Sequence, residues 1–534
     1  MKMQDRSAAD LNACVKAGCF PILLSHLGRD KSEGAGGGNT FFNRLLSSRS
    51  RASRPPALES RTENPNDSQP QQPGFGQSRL LARSTGTAIT HDAHDSHDSH
   101  LSMNRTRAPI ATPATDRPTL LCERPMGAVH YRIIALCFAA WIFDFYDLIL
   151  YSFMLVPIAR DLHLSQAQSS LTLGLALAMT AIGGVIFGFF GDRFGRKPTI
   201  IVAVLIYGVG TTLCAASHGL LQLLLFRSFT GLGIGGEWAA GQSLVAETVP
   251  PVRRARYAAY VQIGAPLGAM LAAAAGGHIE PLIGWRNVFL LSSAPSFIVA
   301  LIVWRWLPES DVWLRSGAAA TTTPRRRFGA ASLDAMRPFR RIIGLLFIVL
   351  LVNSAAYWFT YTWMPSYLRI ARKLTPQASG NLMIWMQAGA LVGYFAFGAL
   401  ADRFGRRPVF SVYASLMALG LLPATLLWNW ASTIHGLIRA ALIVAGFGTG
   451  IWSGAGPMIS EMLPTSVRNT ALGLLLNVTR GIQFFTPLII TALSPRLGFG
   501  PTLAIGALFS AIGAVMVWLL PETRGRHITD LDPA

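Results

Sequence analysis

From about residue 131 to the end, the chain runs as apolar stretches of about 20 residues, each long enough to cross a ~30 Å hydrocarbon core. About twelve such runs follow one another. Lipid offers no hydrogen bonds, so a chain written this way has to satisfy its backbone internally, as helices or a closed barrel. The alternating segments of ~10 residues that build a barrel are absent. The expected fold is therefore an all-α polytopic membrane protein. Only 14% of the residues are charged, against about 25% in a soluble protein.

A net charge of +19 in a soluble chain would suggest nucleic acid. Its distribution argues against that here. The basic residues fall in every second short loop, as at Arg193, Arg196 and Lys197, at Arg403, Arg406 and Arg407, and at Arg325 to Arg327. This positive-inside pattern places both termini in the cytoplasm of a cell's inner membrane. Arg369, Arg372 and Lys373 break it, falling on the predicted outer side. The five cysteines show neither metal-ligand nor disulfide spacing.

Residues 1–128 are rich in Ser, Arg, Pro, Gly and Asn, and their composition predicts a disordered tail. The tract HDAHDSHDSH at 91–100 is read as flexible, with weak metal binding as the sharper alternative. Met103 and Met126 precede the first apolar run, and either is a candidate native start. The expected domains are a six-helix bundle at 129–307, a cytoplasmic linker at 308–341, a second bundle at 342–525 and a tail at 526–534. Predicted helices are 131–157, 169–190, 199–217, 221–247, 257–277 and 286–307, then 342–367, 380–400, 408–428, 436–462, 468–493 and 500–520.

An internal repeat organises these runs. GFFGDRFGRKP at 188–198 returns as GALADRFGRRP at 398–408. Glu247, Pro250 and Arg254 return as Glu461, Pro464 and Arg468, and LPES at 307–310 returns as LPET at 520–523. Two homologous halves of six helices follow, with a binding site between them near the mid-membrane plane.

Within the first run, WIFDFYDLILYSFMLVP carries Asp144 and Asp147, three apart and so near one face of a helix. Each acid costs roughly 2.5–3.5 kcal/mol at the bilayer centre on insertion scales, so both are candidates for proton coupling. The alternative is a structural ion pair, for instance with Arg227. Asp147, deeper along the helix, is the first choice. Glu237, in GIGGEW, either joins a proton relay or pairs with Arg227.

Arg480 lies mid-span in NVTRGIQFF and is the best candidate to hold a substrate carboxylate in a bidentate fork, with Asn477 and Gln483 nearby. Permanent pairing with an acid of another helix is its alternative. Asn353, Tyr357 and Tyr361, spaced by four, suggest a polar aromatic wall completed by Trp385, Gln387 and Trp452, and Arg227 joins the candidate substrate residues. Packing alone would explain any single one of these. Arg439 is read as an interface anchor. No P-loop, HExxH or nucleophile-elbow motif is present, which points away from an enzyme and toward transport driven by an ion gradient.

The doubled G-x-x-x-D-R-x-G-R-[RK] loop resembles the signature of the major facilitator superfamily, here Gly188, Asp192, Arg193, Gly195, Arg196 and Lys197, and again Asp402, Arg403, Gly405, Arg406 and Arg407. DFYDLILYSF, GIGGEWAAGQSLVAE and WMPSYL are similar to stretches of the proton-coupled metabolite, sialate and aromatic-acid symporters. The aromatic-acid branch usually carries D-G-x-D where this chain has Asp144-Phe145-Tyr146-Asp147, so the sialate and monocarboxylate side is the closer match. The resemblance implies two six-helix bundles that alternate access to a central site. It implies gating by the signature-loop residues with Glu247, Arg254, Glu461 and Arg468, closing the cytoplasmic side. It also implies proton symport of a small organic anion by a monomer, with no cofactor or metal. A neutral sugar or polyol porter and a drug/proton antiporter are the alternatives.

Overall fold

The computed structural model describes residues 119–319 and 336–524, apart from the side chains of residues 252, 255, 316–319 and 465–470. The predicted tail before residue 119, the linker centre at 320–335, the last ten residues and the Arg468 side chain lie outside the described residues. Among the described residues every regular element is a helix.

The first six spans are α1 (Ala128–Asp161), α2 (Gln166–Phe194), α3 (Arg196–Ala215), α4 (Leu220–Thr248), α5 (Pro251–Gln262, continued by Gly264–Ala274) and α6 (Glu280–Trp306). A short helix, Asp311–Ala319, follows. The second six are α7 (Arg340–Ile370), α8 (Pro376–Phe404), α9 (Arg406–Thr425), α10 (Leu437–Gly448 and Ile451–Met462), α11 (Thr465–Ile482 and Phe485–Leu497) and α12 (Phe499–Met516). Among the described residues, ten helices are long and apolar enough to cross a membrane. One of these, Arg256–Trp306, runs for 51 residues and takes in most of α5 and all of α6. A kink interrupts it at Gly284, whose φ of +77° a side chain would resist. α4 carries Arg227, Glu237 and Glu247, which lower its hydropathy below that of the ten.

Local chemistry sets the helix ends alike in the two halves. Ser165 caps α2 by accepting from Gln168 N at 3.2 Å while Gln168 Oε1 accepts from Ser165 N at 2.8 Å. Thr375 caps α8 by accepting from Ala378 N at 3.2 Å, with Pro376 as the first helical residue. Between α2 and α3 the chain turns at Gly195 (φ +106°), and between α8 and α9 at Gly405 (φ +100°). Small residues let helices touch backbone to backbone: a side chain at Gly235 of α4 would overlap Thr180 O of α2, and one at Gly446 of α10 would overlap Met386 O of α8.

The halves meet along α2 with α11, α5 with α8, and α1 with α7. All hydrogen bonds and ion pairs joining them among the described residues lie at the end opposite the signature loops. Gln166 Nε2 donates to Ser494 Oγ at 3.2 Å, and Ser170 bonds Thr491. His278 Nε2 meets Asn381 Oδ1 at 3.0 Å. Arg369 pairs with Glu280 at 3.8 Å and donates to Phe153 O at 3.4 Å. That carbonyl is available because Pro157, four residues on, has no N–H.

Contacts account for two of the three basic residues that broke the loop pattern. Arg369 is neutralised across the interface. Arg372 donates to Tyr367 Oη at 2.6 Å and Thr425 O at 3.2 Å, and sits 5.1 Å and 5.0 Å from the Tyr367 and Trp428 ring centres.

Candidate functional site

α1 and α4 bring three buried acids to the middle of the first half. Asp144, Asp147 and Glu237 are 0%, 2% and 1% exposed, so each has to find its compensation inside the protein. Asp147 has found it. Its Oδ1 accepts from Thr211 Oγ1 at 2.6 Å, and its Oδ2 lies 3.6 Å from Arg227 Nη1. The Arg227 guanidinium also lies 4.3 Å from the centre of the Tyr151 ring. Asp144 has found much less. Neither of its oxygens has a hydrogen-bond partner, and its electrostatic neighbours are Glu237, Arg480 and Asp147. Glu237 Oε2 is likewise unpartnered.

Between the halves lies a cavity of about 60 Å³. Trp141 and Phe145 of α1 and Trp238 of α4 form one wall, with Gln262 from the end of the first segment of α5. Tyr357 and Trp358 of α7, Tyr394 of α8, Trp452 of α10 and Arg480 of α11 form the other. Among the described residues Arg480 has no ion-pair partner within 4.0 Å. Its guanidinium is held 5.9 Å and 5.8 Å from the Trp141 and Trp238 ring centres. The indole N–H groups of Trp141 and Trp452 are buried without acceptors. One free cation and two free donors thus meet in an aromatic box, groups that suit an oxygen anion.

The other expected substrate residues divide. Tyr361 stacks on Tyr357 with ring centres 4.0 Å apart and donates to Gln387 Oε1 at 3.1 Å, so both support the wall from behind. Arg227 lies off the cavity, paired to Asp147 rather than free for substrate. Asn353 donates to Val349 O at 2.8 Å and packs against Gly513 of α12. Asn477 donates to Gly473 O at 2.9 Å, and Gln483 to Thr479 O at 3.1 Å, each on its own helix. Trp385 is 45% exposed on the outside of the bundle, 5.7 Å from the Arg439 guanidinium. It therefore leaves the expected wall. Trp141, Trp238, Phe145 and Tyr394 are cavity residues that the sequence reading does not single out, since apolar residues in a membrane span carry no signal of their own.

At the signature-loop end, Arg196 Nη1 pairs with Asp192 at 2.8 Å and Nη2 with Glu247 at 2.8 Å. Arg406 repeats this with Asp402 at 2.6 Å and Glu461 at 3.0 Å. Glu247 is held by Arg196, and Arg254 Nε is buried without a hydrogen-bond partner. Arg193 and Arg403 lie over Phe194 and Phe404, and Arg407 over Trp518. A side chain at Gly188 or Gly398 would meet nothing, so the first glycine of each motif is not sterically required here.

One further acid outside the motif completes each network. Glu309 Oε1 accepts from Arg196 N at 2.9 Å and its Oε2 from Lys197 N at 3.2 Å, capping α3. Glu522 does the same for α9, accepting from Arg406 N at 2.8 Å and Arg407 N at 3.1 Å. A side chain on Gly195 would overlap Glu309, and one on Gly405 would come within 2.9 Å of Glu522 Oε2. Their signal in the sequence was the LPES/LPET repeat.

The Major Facilitator Superfamily profile matches residues 136–386 and 368–532. The Escherichia coli sialic acid transporter NanX is 29% identical over 71% of this chain and 92% of its own length. A cis,cis-muconate transport protein of Acinetobacter baylyi is 28% identical over 74% of this chain and 96% of its own. A solved D-xylose-proton symporter shares the fold, with a TM-score of 0.60 at 19% identity, over 74% of this chain and 99% of that one. Twelve α-helical spans in two repeated sets, a doubled signature loop and a cavity between the sets lead to the same conclusion: the chain belongs to the Major Facilitator Superfamily and is a multi-pass membrane transporter, not an enzyme.

Proposed function

We propose that this transporter carries a small organic anion, a monocarboxylate or sialate-like acid, together with protons. One observation carries the reading. Asp144 is fully buried with neither oxygen hydrogen-bonded, and its one cationic electrostatic neighbour is Arg480, which faces the cavity without an ion pair of its own. A carboxylate left so bare is costly, so Asp144 holds a proton while the cavity is empty of anion. The anion enters against Arg480 and the indole N–H groups of Trp141 and Trp452. Both relatives reported above are transporters of organic acids by name, which supports an acid substrate.

Asp147 has a different part in this reading. Its pairing with Arg227 is the second proton switch: protonation of Asp147 releases Arg227 and loosens α1 from α4. Glu237 relays protons between the two aspartates. With the signature loops cytoplasmic, as their basic residues favour, the closed end faces outward. The carrier then opens outward when the contacts of Arg369 and His278 part, and each monomer contains a complete cavity.

Proteoliposomes separate the roles. Asp144→Asn and Asp147→Asn should each abolish accumulation of acid driven by an imposed pH gradient, while exchange of labelled for unlabelled acid persists in Asp144→Asn, which breaks no ion pair. Accumulation at the wild-type level by Asp144→Asn would refute its assignment.

A further inference from the structure

A second cavity, of about 530 Å³, opens between the halves at the end away from the signature loops. Leu155, Val156 and Ala159 of α1 face Ile370 of α7 and Phe499 of α12 across it, so its body is apolar. Its polar groups are unusual for such a place. Ser366, Ser169 and Trp363 are 0%, 3% and 2% exposed, all line the cavity, and the hydroxyls of both serines and the indole N–H have no hydrogen-bond partner. Buried donors are normally satisfied. Helix serines ordinarily turn back to a carbonyl one turn earlier; these two do not. Gln166 is already committed to Ser494, and no acidic side chain lines the space.

We propose that this cavity is a second ligand site, which takes a small carboxylic acid. The carboxylate accepts from Trp363 Nε1 and the Ser366 and Ser169 hydroxyls, while its apolar body lies against Leu155, Ile370 and Phe499. The volume falls in the ~300–1,000 Å³ range of small-ligand pockets. An indole N–H can only donate, and with two hydroxyls beside it the site selects an oxygen acceptor over a cation. The site stands between the outer surface and the central cavity, nine residues along α7 from Tyr357. It is therefore a staging position on the route of the transported acid, and in this it rests on the reading that the substrate is a carboxylate.

Equilibrium dialysis of the purified full-length chain with radiolabelled benzoate tests this. The expected result is two sites per chain. Ser366→Leu should fill the outer cavity and leave one site; Arg480→Ala should remove the central one and leave the outer. Trp363→Phe keeps the ring and loses the donor, so it should weaken the outer site at least tenfold even if the leucine variant fails to fold. One wild-type site that is lost in Arg480→Ala and untouched by both outer substitutions would overturn the second site and leave the central reading standing. One wild-type site kept in Arg480→Ala and lost in Ser366→Leu would support the outer site and remove the central one. No saturable binding at all would overturn the outer site.

Discussion

Glu309 reaches across 113 residues of sequence to accept the backbone N–H of Arg196 at 2.9 Å, at the N-terminus of α3. A carboxylate at this position meets orphan N–H groups and the positive end of the helix dipole together. Glu522 and Arg406 repeat the bond at 2.8 Å in the second half. Arg196 and Arg406 then hold the acids of their own signature loop and of α4 or α10. The signature loop is thus one side of a closed charge network whose other side is the LPE segment.

Removing the cap should loosen that network without unfolding the bundle. Glu309→Ala is expected to cost about 1 kcal/mol, the usual worth of a helix N-cap. Glu309→Gln, which can still accept, should cost less. Thermal unfolding in detergent measures both, and equal effects would show that the charge alone matters.

Acidification acts on the second copy. Burial pushes the Glu522 carboxyl up, but the backbone N–H groups of Arg406, Arg407, Arg524 and Thr523 outweigh it and hold the group below its ordinary value. A depressed carboxylate contributes stability that is complete above its unfolded pKa, about 4.3, and is lost as pH falls through the lower folded value. The unfolding temperature should therefore drop below about pH 4. Glu522→Gln should reduce that drop, modestly because the group is only partly buried.

The buried pair of Asp147 and Arg227 makes a sharper prediction. Taking away one partner strands a charge, at a cost of about 3–5 kcal/mol. Arg227→Met should then express poorly. Adding Asp147→Asn should recover folded protein, seen as a monodisperse peak in size-exclusion chromatography, but not transport.

Across the closed end, Glu280→Gln should weaken the attachment of Arg369 and favour outward opening. An Asn381→Cys reporter, placed beside His278, should react several-fold faster with a membrane-impermeant maleimide in that background. An unchanged rate would remove the ion pair from the gate.

Much of this architecture was legible, because lipid forces the backbone into helices and the twelve apolar runs mark them. α4 was predicted at 221–247 and spans Leu220–Thr248. Of the expected site residues, Tyr357, Trp452 and Arg480 line the central cavity and Asp144 is an electrostatic neighbour of Arg480, since each is costly or unusual in a span. Direction was harder to read. Trp385 and Gln387 are two apart, about 200° around a helix, so the inward turn of Gln387 sends Trp385 outside. Four-residue steps drift by about 40° each, which turns Asn353 toward α12 while Tyr357 faces the cavity.

Arg480 carries the anion reading most directly. Arg480→Ala should raise the half-saturating acid concentration at least tenfold, since a hydrogen bond to a charged group is worth about 1.5–3 kcal/mol. Arg480→Lys should restore little, because a point charge does not reproduce the planar fork.

The decisive measurement is external pH in a lightly buffered suspension of de-energised cells expressing the chain, after addition of single acids. Sialate, lactate, benzoate and muconate form the panel, with xylose as control. The account predicts alkalinisation with at least one acid, none with xylose, and none from cells carrying Asp144→Asn. Silence with every acid, alongside uptake of labelled xylose, would contradict proton–anion symport and return Arg480 and Asp144 to structural roles.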